Sequence, residues 1–296
     1  MLAGTGVAAW SHQEVWWKAA LALVVSLLLQ VGVNYANDYS DGIRGTDDAR
    51  VGPLRLVGSR VASPAAVKRA AFACFGLAGA VGLVLAATTA WWLVAVGALS
   101  ILAAWFYTGG KKPYGYLGLG EVMVFVFFGL VAVLGTWFVQ VHSARSCTPD
   151  DPCVVRATLG FVGGEAYRSP AWAAALCAAI GVGALACAIL VANNLRDIPT
   201  DTESGKRTLA VKLGDDRTRR LYGALVSVAL LALIAVAWST SWWALLGLMA
   251  FMPLIRAVHT VTDGARGRDL IPVLQLTGLG ELLYAAGLFA GLLVAR

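Results

Sequence analysis

Eight long apolar runs restrict what this chain can fold into. They lie near 19–37, 66–86, 91–108, 119–141, 171–193, 220–238, 241–262 and 272–294. Each approaches or exceeds the roughly 17–25 residues that a helix needs to cross a hydrocarbon core. In lipid every backbone N–H and C=O must find a partner inside the protein, so a crossing segment is a helix or part of a closed barrel. Barrel strands alternate apolar and polar side chains, and these runs do not. Charged residues make up 14% of the 296-residue chain, against about 25% in a soluble domain. The expected fold is all-α: a polytopic transmembrane helical bundle forming one domain over 1–296. Met1–Trp10 is a further apolar piece, too short to span. It is expected to be a truncated first helix at an incomplete N-terminus, added to eight spanning helices.

The basic residues orient the bundle. If 38–64 faces the cytoplasm and the runs alternate, the outer side keeps only Lys18, Arg145, Arg156, Arg168 and Arg296 of the 23 Lys and Arg. The rest fall inside, as the positive-inside rule expects. The net charge of +6 is then a topology signal and gives no reason to invoke nucleic acid. Trp16, Trp17, Trp91, Trp92, Trp172, Trp238, Trp242 and Trp243 fall near outer helix ends, the level that tryptophan favours. Cys74, Cys177 and Cys187 lie in apolar runs and read as core residues. Cys147 and Cys153 share the long outer loop 142–170, where an oxidising environment permits a disulfide.

Function is expected on the inner face, because its loops carry the costly residues. An Asp at a helix centre in lipid costs about 2.5–3.5 kcal/mol on insertion scales. Here the first run ends in Asn34-Tyr-Ala-Asn37-Asp38-Tyr-Ser-Asp41-Gly-Ile-Arg44-Gly-Thr-Asp47-Asp48. Asn34, Asp38 and Asp41 share one face if the helix continues, and Gly42 and Gly45 are expected to break it. A second cluster, Asn193-Asn194-Leu-Arg196-Asp197-Ile-Pro-Thr-Asp201, follows the fifth run. Pro199 disfavours helix at Ile198, so Asp201 is expected to leave the face of Asp197. Amide and carboxylate oxygens of this kind suit a hard divalent cation such as Mg²⁺, beside substrate phosphates. Arg44, Arg196, Lys206 and Arg207 accompany the acids and can clamp an anion. Two such clusters on one side of the membrane point to a metal–diphosphate site shared by two halves of the bundle.

A third inner feature is Tyr107-Thr-Gly-Gly-Lys111-Lys112-Pro-Tyr114-Gly-Tyr116-Leu-Gly118-Leu-Gly120-Glu121. Its glycines allow close backbone approach, and Lys111 can meet a phosphate or an aromatic acid. Glu121 opens an apolar run, where an ionisable group is a functional candidate by default. It also fits a carboxylate stabilised at a helix N-terminus. His12, His142 and His259 have no spacing that suggests zinc.

These residues resemble the UbiA-type intramembrane prenyltransferases. Asn37-Asp38-Tyr-Ser-Asp41 matches their Asn-Asp-x-x-Asp, and Asp197-Ile-Pro-Thr-Asp201 matches their later Asp-x-x-x-Asp. Where many members carry a further Asp, this chain has Gly45, with Asp47 two residues on. Three stretches are more specifically similar to the 1,4-dihydroxy-2-naphthoate polyprenyltransferases. They are 37–47, 107–140 and 194–214, with Tyr-Thr-Gly-Gly, Gly-Leu-Gly-Glu, Phe-Phe-Gly and Gly-Lys-Arg-Thr among their motifs.

The resemblance implies a nine-helix fold in the cell membrane with a cytoplasmic active site. The reaction it implies is transfer of a polyprenyl group from polyprenyl diphosphate to 1,4-dihydroxy-2-naphthoate. Carbon dioxide and diphosphate leave, giving demethylmenaquinol for menaquinone synthesis. It implies Mg²⁺ held by Asp38, Asp41, Asp47, Asp197 and Asp201. Substrate contacts would come from Asn34, Asn37, Arg44, Tyr107, Lys111, Asn194, Arg196 and Lys206, with Glu121 catalytic beside the four motif aspartates. A sister enzyme acting on 4-hydroxybenzoate, homogentisate or a glycerol lipid shares both motifs and stays open. So does a cation-coupled transporter, although its site belongs nearer the midplane on broken helices. Nothing in the sequence points to a particular protein partner.

Overall fold

The computed structural model describes residues 1–45, 55–110, 113–142 and 170–296, and all regular structure among them is helical. Asp47, Lys111, Lys112, Cys147 and Cys153 lie outside the described residues. Helix α1 is Leu2–Trp10, α2 Trp16–Ile43, α3 Pro64–Ala87 and α4 Leu93–Phe106. Helix α5 runs over Gly120–Val141 and α6 over Pro170–Glu203. Short α7 is Leu209–Leu213, α8 is Asp215–Ser239, α9 spans Trp242–Thr262, and α10 is Ile271–Val294.

Seven of these helices are long and apolar enough to cross a membrane: α2, α3, α5, α6, α8, α9 and α10 with its leading turn. The 91–108 run behaves differently. It makes a helix of 14 residues, about 21 Å long and shorter than a hydrocarbon core of about 30 Å. Its flanking turns still carry it along the bundle. The Lys18 ammonium near the start of α2 donates to the Thr88 carbonyl at 2.7 Å and the Thr89 hydroxyl at 2.8 Å, just before α4. Just after α4, the Thr108 hydroxyl donates to Asn37 Oδ1 at 2.8 Å, near the end of α2. Helix α1 has nine residues, and Ala3 to Ala9 are all buried. It fills space between α10, α6 and the last turn of α5.

Helix α6 is the centre of the bundle, with contacts to α1, α5, α8 and α10. Its Ala174, Ala175, Ala178 and Ala179 are wholly buried. Small residues suit membrane interfaces because lipid tails are as apolar as leucine, so helices gain by close backbone contact. The α6 backbone closely approaches that of α5. A Cβ on Gly129 would lie 2.7 Å from Gly183 Cα and 2.8 Å from the Ala179 carbonyl oxygen. Gly129 sits in a π-helical stretch, Phe125–Leu134, a rare form that is frequent at functional sites. This crossing seats the start of α5 against the end of α6, where Glu121 and Asn194 meet. Gly183→Val is expected to push the two helices apart and cost about 1–3 kcal/mol, as overfilled cores do. A lowered Tm in detergent, with weakened turnover, is the result that checks it.

Helices α2, α3 and α4 form a second group, with Ala36, Ala71 and Phe75 in a small core of their own. Seven of the tryptophans placed at outer helix ends stand exposed: Trp16, Trp17, Trp91, Trp92, Trp238, Trp242 and Trp243. A cavity of about 320 Å³ lined by Trp10, Gln13, Trp137 and His142 opens at that end, away from the acidic clusters.

Candidate active site where the two acidic clusters meet

The end of α2 carries the first cluster. The helix runs unbroken through Gly42 to Ile43, and Gly45, at φ +70°, turns the chain. Gly42 is therefore no helix breaker. Asp41 is buried, with 5% of its surface exposed. Its Oδ1 accepts a hydrogen bond from the Tyr116 hydroxyl at 2.5 Å and lies 3.7 Å from the Lys206 ammonium. Asp38, also 5% exposed, turns to the chain that follows. Its two oxygens accept from the backbone N–H groups of Leu56 at 2.8 Å and Val57 at 3.0 Å. Asn37 accepts from Thr108. Asn34 is not brought into this group; it is exposed and its amide donates to the Gln30 carbonyl of its own helix. Arg44 caps α2 and donates to the carbonyls of Thr108 and Gly110.

The end of α6 carries the second cluster. Pro199 does not stop the helix, which continues to Glu203, so Asp197 and Asp201 are one turn apart on a common face. Pro199 cannot donate to the carbonyl of Leu195. Hydroxyls support the turns around it: Thr200 donates to the Asp197 carbonyl and Thr202 to that of Ile198. The expectation of a broken helix fails because these side chains steady the last turns. Arg196 holds both oxygens of Asp197 at 2.7 Å and bonds Asn193 at 2.9 Å. Its remaining terminal nitrogen is buried and has no hydrogen-bond partner among the described residues. Asp201, 8% exposed, accepts from the Thr208 hydroxyl at 3.4 Å.

The third inner segment joins the two. Tyr116, in the turn Tyr114–Leu117, touches both halves at once. Its hydroxyl reaches Asp41, its ring lies under Lys206 at 4.7 Å and Arg44 at 5.5 Å, and its carbonyl accepts from Arg207 N–H at 3.0 Å. Lys212 donates to the neighbouring Leu117 carbonyl at 2.6 Å. Tyr107 lies within reach of the charges of Glu121, Asp41 and Asp201. Its neighbour Tyr114 donates to the Ala103 carbonyl at 2.6 Å, and burial pushes that phenol up to about 12. Sequence reasoning assigned no role to Tyr116 or Thr108. The only signal was an aromatic residue within a glycine-rich basic loop.

Glu121 is 8% exposed in the first turn of α5. Its Oε1 accepts from the Asn194 amide at 2.9 Å, and its backbone carbonyl accepts the Cys187 thiol at 3.1 Å. The other oxygen, Oε2, is buried without a hydrogen-bond partner among the described residues. Buried carboxylate oxygens are rarely left so, because lost hydration must be replaced.

Among the described residues, no three Asp, Glu, His or Cys side chains stand close enough to hold one metal ion. The donor set nonetheless fits Mg²⁺. It consists of hard carboxylate and amide oxygens, and Mg²⁺ usually takes one or two protein carboxylates and completes its shell with phosphates and water. The arrangement offers anionic oxygens from α2 and α6, a lysine between them, and a buried carboxylate one layer deeper.

The sequence model of the UbiA prenyltransferase family matches residues 1–279. The chain belongs to the UbiA prenyltransferase family. It is 52% identical to a Mycobacterium tuberculosis protein named 1,4-dihydroxy-2-naphthoate octaprenyltransferase, over 96% of this chain and 88% of that one. It is 50% identical to the like-named protein of Mycobacterium leprae, over 100% of this chain and 91% of the relative. The like-named Escherichia coli protein is 35% identical over 98% and 89%. A solved UbiA homologue from Archaeoglobus fulgidus, bound to DMAPP and Mg²⁺, superposes with a TM-score of 0.50 at 16% identity. The superposition covers 98% of this chain and 94% of that one, and the likeness extends the UbiA fold to the bundle described here.

Proposed function

We propose that this UbiA protein transfers a polyprenyl group from polyprenyl diphosphate to 1,4-dihydroxy-2-naphthoate, releasing diphosphate and carbon dioxide. The observation that carries the reading is 52% identity over nearly the whole chain to a 1,4-dihydroxy-2-naphthoate octaprenyltransferase. In this reading the enzyme lies in the cell membrane with the acidic end of the bundle in the cytoplasm, which the excess of Lys and Arg on that side supports. Helix α4 with its flanking turns makes the eighth crossing.

Asp41 and Asp201 would hold Mg²⁺ with the substrate diphosphate, and Asp197, gripped by Arg196 through both oxygens, would join them only by exchanging that partner. Bound there, Mg²⁺ supplies Lewis-acid stabilisation of the departing diphosphate. Lys206, lying between Asp41 and the end of α6, is placed to contact the same anion. The unpaired nitrogen of Arg196 is a second donor. One preorganised donor aimed at developing charge is worth about 2.7–4 kcal/mol of barrier. Arg44 serves by holding the 108–110 turn in place. The isoprenoid tail would lie among the apolar helices, which would keep water from the allylic carbon as its C–O bond opens. Glu121 is assigned to the acceptor: its unpartnered oxygen can take the proton of a naphthoate hydroxyl or orient it. Asn194 fixes the carboxylate, and Lys111 is the candidate for the acceptor's own carboxylate.

Membranes containing the protein, incubated with 1,4-dihydroxy-2-naphthoate, a polyprenyl diphosphate and Mg²⁺, should yield the decarboxylated prenyl product by mass. Product from 4-hydroxybenzoate or homogentisate instead would assign the chain to a sister reaction. A divalent-cation flux without prenyl transfer would favour a transporter.

A further inference from the structure

We infer that Asp38, the first carboxylate of the Asn37-Asp38-Tyr-Ser-Asp41 motif, is a positioning residue that fastens the loop 55–62 to the end of α2, and is not a metal ligand. The kinetic part of this inference rests on the reaction proposed above; the structural part does not. Asp38 is buried, and each of its oxygens is taken by one of two consecutive backbone amides, Leu56 and Val57. Both oxygens of the carboxylate are thus engaged by amide dipoles. Its neighbour in the motif behaves differently: Asp41, three residues on, is bonded by Tyr116 and faces Lys206.

The loop is shaped to be held. It closes on itself through Ser59 N–H to the Arg55 carbonyl at 2.9 Å, Arg60 to Val57 at 2.9 Å and Ala62 to Leu56 at 2.9 Å. The side chain of Val57 is 8% exposed and rests where Gly42 has no side chain. A Cβ at Gly42 would collide with it, Val57 Cβ lying 2.5 Å away. Gly42 is one turn after Asp38, so carboxylate and glycine form one seat for the loop on α2. On the other side Arg44 ties the same helix end to the carbonyls of Thr108 and Gly110. Asp41 sits between these two ties, and its position in the site follows from both.

Hydrogen exchange on the metal-free, substrate-free protein in detergent tests this. Peptides covering 55–62 should exchange at least about tenfold faster in Asp38→Ala than in the wild type, since opening releases the two amides. Asp41→Ala should leave them protected. In turnover, Asp38→Ala should lower kcat by about tenfold through misplacement of Asp41. The Mg²⁺ concentration for half-maximal rate should stay nearly unchanged. Asp38→Asn, which keeps one acceptor oxygen, should recover part of both the protection and the rate. If Asp38→Ala does not fold, Gly42→Val displaces Val57 with the carboxylate intact and should give the same loss of protection. Unchanged exchange of 55–62 in Asp38→Ala would overturn the assignment. So would a large rise in the Mg²⁺ requirement with the loop still protected.

Discussion

Removing divalent cations with EDTA should bring prenyl transfer down to background, and Mg²⁺ should restore it. In the same assay Asp41→Ala and Asp201→Ala should each lower kcat by about 10²–10³-fold, the usual cost of removing one preorganised element of charge stabilisation. The expectation follows from placement. Asp41 and Asp201 are each nearly buried at the ends of α2 and α6, and Tyr107 lies within reach of both charges. Alanine there removes charge from the site and leaves the apolar contacts of the bundle intact, so both variants should insert into membranes and melt near the wild-type temperature. Full turnover in either, or turnover that persists in EDTA, would remove the metal–diphosphate reading.

Glu121→Gln should separate the two substrates. Glutamine keeps the shape and can still accept the Asn194 hydrogen bond through its carbonyl oxygen. It replaces the unpartnered Oε2 with an amide that cannot take a proton. If Oε2 serves the acceptor, kcat/KM for the naphthoate should fall by about 10²–10⁴-fold, the range of general acid–base contributions. The KM for polyprenyl diphosphate should hold. A carboxylate that merely complements the N-terminus of α5 is worth about 0.3–1 kcal/mol, so that role predicts a small drop in Tm with kinetics intact. Steady-state kinetics with each substrate varied in turn decides between them. An equal loss for both substrates, or none, would take Glu121 out of the acceptor site.

Much of this architecture was legible in the order of residues. Apolar runs set by composition alone marked the seven long helices, because hydropathy is a local property that needs no knowledge of neighbours. The run at 91–108 misled on length: hydropathy counts Trp91, Trp92 and Tyr107 as helix, whereas the backbone leaves α4 with 14 residues between two turns. Pro199 and Gly42 misled in the other direction. Both are helix breakers by intrinsic preference, yet one lies in a turn supported by hydroxyls and the other under Val57. Tertiary contact overrode propensity at both positions.

The motifs announced which residue types would gather at one end of the bundle. They could not say which way each side chain points. Asn34, Asp38 and Asp41 share a helical face by spacing, but in the structure one is exposed, one holds the loop and one meets the other half of the protein. That division depends on the rotation of α2 about its axis and on what lies across from each turn. The contact between Gly129 and Gly183, the seat of Val57 on Gly42, and the reach of Tyr116 between Asp41 and Lys206 are all pairings of residues distant in the chain. The sequence by itself determined a helical membrane protein with acids, amides and lysines at one end, since periodicity and hydropathy are written residue by residue. Only the tertiary structure decided that Tyr116 joins the two clusters and that Asp38 and Asp41 part company. Those outcomes depend on the distance and angle at which whole helices meet, and small side chains buried between them set both.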